Sequence, residues 1–224
     1  MRTIRVTGKG KIKVKPDITR LTITLEGFNK EYSKTLEQSS QDTNNLKKQL
    51  SEFGFDRSDL KTLSFNVNEE FESYKEWQDG KETYKNRLMG YRFRHIIKIE
   101  FESDNKRLGK ILYALGNNDL KPEFRISYTV KDPETAKNEL LGKAIKDASA
   151  KAKVLTEAAS LSLKDIQTID YSWGEIDFEV RPMRDMICNS IIVPTGYPDD
   201  SYDINIEPDD IEVADTVTVV WEIA

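Results

Sequence analysis

Apolar and polar residues alternate from Leu21 to Glu26, with Leu21, Ile23 and Leu25 set against Thr22, Thr24 and Glu26. That is the period of a half-buried strand. Helical spacing follows over 31–53, with a stripe of Leu36, Thr43, Leu46, Leu50 and Phe53 and a stop at Gly54. Asp59-Leu60-Lys61-Thr62 opens the next strand, where Leu63, Phe65 and Val67 alternate with polar residues and predict one buried face. A long strand closes the set, placing Tyr91, Phe93, His95, Ile97, Ile99 and Phe101 on one face and Arg92, Arg94, Lys98 and Glu100 on the other. The same succession then recurs. Phe124, Ile126, Tyr128 and Val130 alternate; a helix is predicted from Pro133 to Leu161; Lys164 to Thr168 opens a strand; and Val217, Val219, Trp221 and Ile223 end the chain. The pattern predicts an α+β fold in which two β-α-β-β pseudo-repeats, 18–102 and 123–224, form one domain over 1–224, with antiparallel sheets packed by long helices. Between them, Leu108, Ile111, Leu112 and Leu115 give a short amphipathic connector helix within 103–116, stopped by Gly116.

The helix signals agree with this pattern. Asp132-Pro133 supplies an N-cap and a proline at the first helical position. Ala136, Leu140, Ala144, Ala148, Ala152, Leu155 and Ala159 then form a stripe of mostly small residues that lets the helix lie close to a sheet.

Asp79-Gly80 is a favoured two-residue hairpin turn. An unbroken strand from Lys61 to Trp77 would span roughly 50 Å at ~3.3 Å per residue, against roughly 45 Å for a compact globule of this length. Part of the hairpin is therefore expected to protrude as an arm. Its outer part, 69–85, loses alternation and mixes Phe71, Tyr74, Trp77 and Tyr84 with charges. Two readings stand: an arm that grips a neighbouring subunit, or a polar hairpin whose aromatics fold back on their own sheet. From Gly174 to Pro208 regular patterning stops, and four prolines interrupt short apolar runs. Met183, Met186 and Cys188 lie in this excursion, either as an adaptable contact surface or as gap-fillers.

Charge changes the picture at the two ends. The total is −5, with 33% charged residues, which argues against a nucleic-acid binder, since phosphate contact needs a concentrated basic face. Yet Lys9, Lys11, Lys13 and Lys15 share one face of a predicted strand, and Asp199, Asp200, Asp203, Glu207, Asp209, Asp210, Glu212 and Asp215 fill an acidic stretch. The lysines read as an edge strand guarded by charge, or as a basic edge that meets the acidic segment within the chain or between subunits. Contact between subunits would build rings or filaments. The candidate assembly contacts are accordingly Lys9, Lys11, Lys13, Lys15, Tyr74, Trp77, Asp209, Asp210 and Glu212.

The chemistry-bearing residues are sparse. His95 is the only histidine, so one chain cannot assemble a histidine triad or a two-histidine metal site, and it reads as a satisfied core or interface side chain. Cys188 is the only cysteine, so no intrachain disulfide forms, and its neighbours Arg181 and Arg184 include no histidine base. Asp199-Asp200-Ser201-Tyr202-Asp203 lacks the ligand spacing, central glycine and terminal glutamate of an EF-hand. Gly8-Lys9-Gly10 leads into a strand and is not a dinucleotide fingerprint. We therefore expect no catalytic residues, no metal site and no cofactor.

The stretch Ile4 to Asp17, containing Val6-Thr7-Gly8-Lys9-Gly10-Lys11-Ile12, closely resembles the opening signature of the SIMPL-domain family, which includes periplasmic immunogenic proteins of Gram-negative bacteria. Ala144 to Leu161 resembles that family's alanine-rich helix, and Ile211 to Ile223 its final strand. The resemblance implies a mixed α+β fold, assembly into large ring-like oligomers, diffuse links to envelope stress, and no established enzyme activity or cofactor. Most relatives are exported; the chain as given opens on a strand pattern without an apolar leader, so a cytoplasmic setting is expected for it, and an exported one if it has been trimmed. The leading expectation is a non-enzymatic, self-assembling protein, an envelope- or stress-related scaffold. The alternative is a small-ligand or peptide-binding module using 174–208 with Tyr171 and Trp173.

Overall fold

A computed structural model describes residues 2–78, 81–171, 176–181 and 206–224. The fold is α+β, with antiparallel sheets and, among the described residues, three helices. The chain divides into two compact units. Unit 1 contains the described residues of Met1–Ile18, Tyr128–Arg181 and Pro208–Ala224, and so takes both ends of the chain. Unit 2 is built on Thr19–Ser127.

In unit 1, β1 (Arg2–Val14) and β6 (Leu163–Tyr171) flank β8 (Ile211–Ile223) in an antiparallel sheet. Helix α3 (Pro133–Ala158) lies against one face. Asp132 caps it, its Oδ1 accepting the Thr135 N–H at 3.1 Å. The buried row is Ala136, Leu140, Ala144, Ala148, Ala152 and Thr156, a strict four-residue spacing. Leu155, expected on that row, is instead exposed, because the row inclines to the helix axis and reaches Thr156 one turn after Ala152. The Thr156 hydroxyl donates to the Ala152 carbonyl at 3.0 Å, which lets a polar residue hold the core position. Small side chains on the helix meet Gly8 and Gly10 on β1. A Cβ on Gly8 would come closer than 3.0 Å to the Ala144 carbonyl oxygen, the Ala148 nitrogen and the Ala148 Cβ. Val6, Val217, Val219 and Trp221 complete one part of this core, and Ile12, Val130, Phe178 and Ile211 another. The short β7 (Glu179–Val180) pairs with the end of β5 at Tyr128 and Thr129.

In unit 2 the strand order is β3 (Lys61–Gln78), β4 (Lys81–Glu102), β2 (Ile18–Asn29), β5 (Glu123–Thr129). Helix α1 (Tyr32–Ser51) packs on β4. Its buried residues are Thr35, Ser39, Leu46 and Leu50, while Leu36, expected in the stripe, is exposed. Helix α2 (Asn105–Gly116) buries Leu108, Ile111, Leu112 and Leu115, as its spacing predicts, behind an Asp104 N-cap. Gln49 ties the helices together, donating to the Ala114 carbonyl at 2.7 Å. Arg107 stacks on Phe55 and Phe101, with centroids at 4.4 and 5.2 Å.

The buried face expected for β3 is not found. β3 is the edge strand, α1 lies over β4, and the alternating Leu63 and Phe65 remain 54% and 46% exposed. Alternation records that a strand has an apolar face; whether anything covers it depends on its place in the sheet.

Candidate functional site

The β3–β4 hairpin extends to the pair Gln78 and Lys81, about 27 Å beyond Glu70 at ~3.3 Å per residue. The turn residues Asp79 and Gly80 lie outside the described residues. Register assigns every arm residue to a face, because side chains directly opposite share one. One face carries Phe71 with Leu88, Ser73 with Asn86, Lys75 with Tyr84, and Trp77 with Glu82. The other carries Glu72 with Arg87, Tyr74 with Lys85, and Glu76 with Thr83. The arm is therefore amphipathic. Its aromatic face was hidden in the sequence by a bulge at Met89, where Glu70 opposes Gly90 and Phe71 opposes Leu88. Downstream of the bulge the odd-numbered β4 residues share this face; in the arm, upstream of it, the even-numbered ones do. Gly90 is needed there: its φ is 155°, and a Cβ would crowd the Asn29 carbonyl oxygen and Phe28. A glycine inside a strand pattern was the available signal.

The polar face is stitched across the strands. Arg87 reaches Glu72 at 2.7 Å and lies over the Tyr74 ring, and Lys85 pairs with Glu76. Arg92 pairs with Glu70, and this bond holds the Glu70 carboxyl below its usual value. On the aromatic face the only charges among described arm residues cancel: Lys75 bonds Glu82 at 2.8 Å and lies over the Tyr84 ring at 5.4 Å. The Lys75 ammonium is raised above its usual value by Glu82 first and the Tyr84 hydroxyl second.

Nearer the body, this same face is the one that α1 covers. Tyr32, the first residue of α1, meets Tyr91 edge to face at 5.3 Å. Further in, Thr43 of α1 bonds His95 Nδ1 at 3.0 Å, and Thr62 bonds His95 Nε2 at 2.9 Å. The Thr43 hydroxyl spends its proton on the Ser39 carbonyl at 2.7 Å, so His95 Nδ1 is the donor and neutral Nε2 accepts from Thr62. Burial first and the Lys47 charge second push the imidazole pKa down. Beyond Tyr91 the helix has ended and the face continues bare: Phe71, Tyr84 and Trp77 are 57%, 67% and 74% exposed. With ~200 Å² per aromatic side chain, these three and Leu88 leave roughly 400–500 Å² of apolar surface in water, at the upper end for a monomer.

The candidate contacts thus separate. Trp77 lies on the bare face and Tyr74 on the polar one. In unit 1, Lys9, Lys11 and Lys13 project from β1 on the face away from α3, and Lys15 is exposed just beyond the strand. The basic edge meets acid within the chain, where Lys13 opposes Glu212 on β8 and pairs with it. That bond, with Asp210 and Asp209 behind it, raises the Lys13 pKa. The outer edge of β1 is partly closed by α3: Asp147 Oδ2 accepts the Lys9 N–H at 2.7 Å, and Lys151 Nζ donates to the Thr7 carbonyl at 3.4 Å. Trp173, Met183, Arg184, Met186, Cys188 and the acidic run Asp199 to Asp203 lie outside the described residues; Arg181 bonds Glu179 at 3.2 Å. Among the described residues no group of three or more His, Cys, Asp or Glu side chains could hold a metal ion. None of their helices is long and apolar enough to cross a membrane.

No curated protein matches the chain. The model of the SIMPL family, described as a protein of unknown function (DUF541), matches residues 4–221, and the chain belongs to that family.

Proposed function

We propose that this chain is a self-associating scaffold without catalysis of its own, and that the aromatic face of the hairpin arm is its contact surface. The observation that carries the reading is the sidedness of the arm: Phe71, Trp77, Tyr84 and Leu88 share one exposed face while the ion pairs hold the other. Covering roughly 450 Å² at ~25 cal/mol per Å² is worth about 11 kcal/mol gross. Association itself costs about 4–15 kcal/mol, so one such contact gives a modest affinity that repeated contacts reinforce. The charged ends are a weaker basis, because Lys13 and Glu212 already satisfy each other and both are well exposed.

Light scattering coupled to size-exclusion chromatography tests this at high protein concentration, in low and high salt. A contact through the apolar face persists in high salt, whereas one through charged ends dissolves. Ser73→Arg places a charge on the aromatic face and abolishes the large species; Thr83→Arg, the same change on the polar face, leaves it. A strictly monomeric parent chain, or equal effects of the two variants, refutes the reading.

A further inference from the structure

The sheet of unit 1 carries a basic cleft of about 360 Å³, lined by Lys9, Lys11 and Lys13 of β1, Lys143 of α3, and Glu212 and Ala214 of β8. Ala214 stands directly opposite Lys11 and so shares its face. Being the shortest side chain there, it makes a floor between long lysine walls. Lys143 arrives from the helix layer. On α3, Lys143, Asp147 and Lys151 follow at steps of ~6 Å, while β1 advances ~6.6 Å every second residue. Asp147 bonds the Lys9 N–H and Lys151 the Thr7 carbonyl, so the next step brings Lys143 level with Lys11. Charge in the cleft is uneven. At one end Lys13 is bonded to Glu212, with Asp210 and Asp209 nearby. At the other, the ammoniums of Lys9 and Lys11 have no carboxylate partner among the described residues. Lys143 is held by Glu139 at 2.8 Å, in a pair with both partners about half exposed, which costs little to open.

We propose that the Lys9, Lys11 and Lys143 end of this cleft binds a phosphoryl group, carried by a small phosphorylated compound or by a lipid headgroup. Four lysines against one glutamate line the cleft, in a chain whose net charge is −5. An edge guarded against pairing needs charge along its rim, whereas here three ammoniums from two layers converge on one depression. A phosphoryl group brings a charge of about −1.5 to −2 and three acceptor oxygens, and lysine binds it as a point charge. A single carboxylate brings one charge and two oxygens, too few for three ammoniums. The volume suits a small ligand. The site lies in unit 1, away from the arm, and does not depend on self-association.

Calorimetric titration with pyrophosphate in low salt tests this, beside sedimentation with vesicles of phosphatidylcholine containing phosphatidic acid. The variants are Lys9→Gln, Lys11→Gln and Lys143→Gln, all at exposed positions. Lys164→Gln, an equal loss of charge at an exposed position on the far strand of the same sheet, is the reference. Each cleft variant weakens binding about fivefold or more, and the reference binds like the parent. Binding of pyrophosphate in solution identifies a free phosphate compound as the ligand; binding confined to the vesicles and lost in the same three variants identifies a headgroup. Amide NMR gives a reading that needs no variant: pyrophosphate moves the signals of Lys9, Lys11, Lys143 and Ala214 first. The inference is overturned if neither probe binds, if Lys164→Gln weakens binding as much as Lys11→Gln, or if the shifted amides lie elsewhere. The scaffold reading is untouched by any of these results, since it is read from the oligomeric state.

Discussion

Replacing Gly8 with alanine tests how closely α3 is seated on β1. The added Cβ would lie 2.7 Å from the Ala148 Cβ, where ordinary contact is 3.4–4 Å, and nearer still to backbone atoms of Ala144 and Ala148. Helix backbone cannot turn aside as a flexible side chain does, so α3 must withdraw by roughly 1 Å, a displacement that core packing resists. Overpacking of this kind costs up to about 3 kcal/mol. Alanine recovers about 0.5–1 kcal/mol by restricting the unfolded chain, leaving a net loss of about 2 kcal/mol. Gly142→Ala is the matched reference: it lies inside α3 with nothing within 4 Å of its added Cβ, and it should gain about 0.5–1 kcal/mol from helix propensity. Urea unfolding reads both, followed by circular dichroism and by tryptophan fluorescence, to which Trp221, buried in the same cluster as Val6, Ala144 and Ala148, contributes. Opposite signs for the two glycines support direct backbone seating. A Gly8→Ala chain as stable as its parent would refute it.

Tyr128 is 1% exposed and its hydroxyl has no hydrogen-bond partner among the described residues. Leaving such a group unsatisfied costs about 1–3 kcal/mol, so Tyr128→Phe should raise unfolding stability by about 1 kcal/mol; a loss in urea titration would show that the hydroxyl is bonded. His95 gives a pH prediction. Its folded pKa lies below 6.5 because burial, and then Lys47, disfavour the charged form. The unfolded chain therefore binds the proton more readily, and the stability held by neutral His95 is present above pH 6.5 and lost as pH falls through the folded value. Urea midpoints of the parent should drop from about pH 7 to about pH 5.5, the slope should vanish in His95→Gln, and the imidazole NMR signals of the single histidine should titrate below 6.5. A slope that survives in the variant would assign it to other groups.

Much of the architecture was legible because it rests on local rules. The Asp132 cap, the row of small residues on α3 from Ala136 to Ala152 and the apolar face of β4 follow from local signals and periods that do not change on folding. Other features were invisible for equally local reasons. The two faces of the arm could not be separated while Met89 was counted as an ordinary strand position, since one extra residue reverses the parity of everything beyond it. The hydroxyls bonded to His95 come from Thr43 and Thr62, far from it in sequence and unremarkable in composition.

The sequence by itself determined which residues form most helices and strands, which face of most elements is apolar, and, through the row of small residues on α3, that this helix could lie close to a sheet; that the sheet offers Gly8 and Gly10 of β1 was decided by the fold. These depend on backbone sterics and on burial of apolar area along one element. Only the tertiary structure decided which apolar faces are covered. β3 and β4 both carry one, yet α1 begins only at Tyr32 and lies over β4, so Ile97 and Phe93 are buried while Phe65, Phe71 and Trp77 face water. Coverage is a property of neighbours, set by where a helix stops and where a strand stands in its sheet, and no period along the chain encodes it.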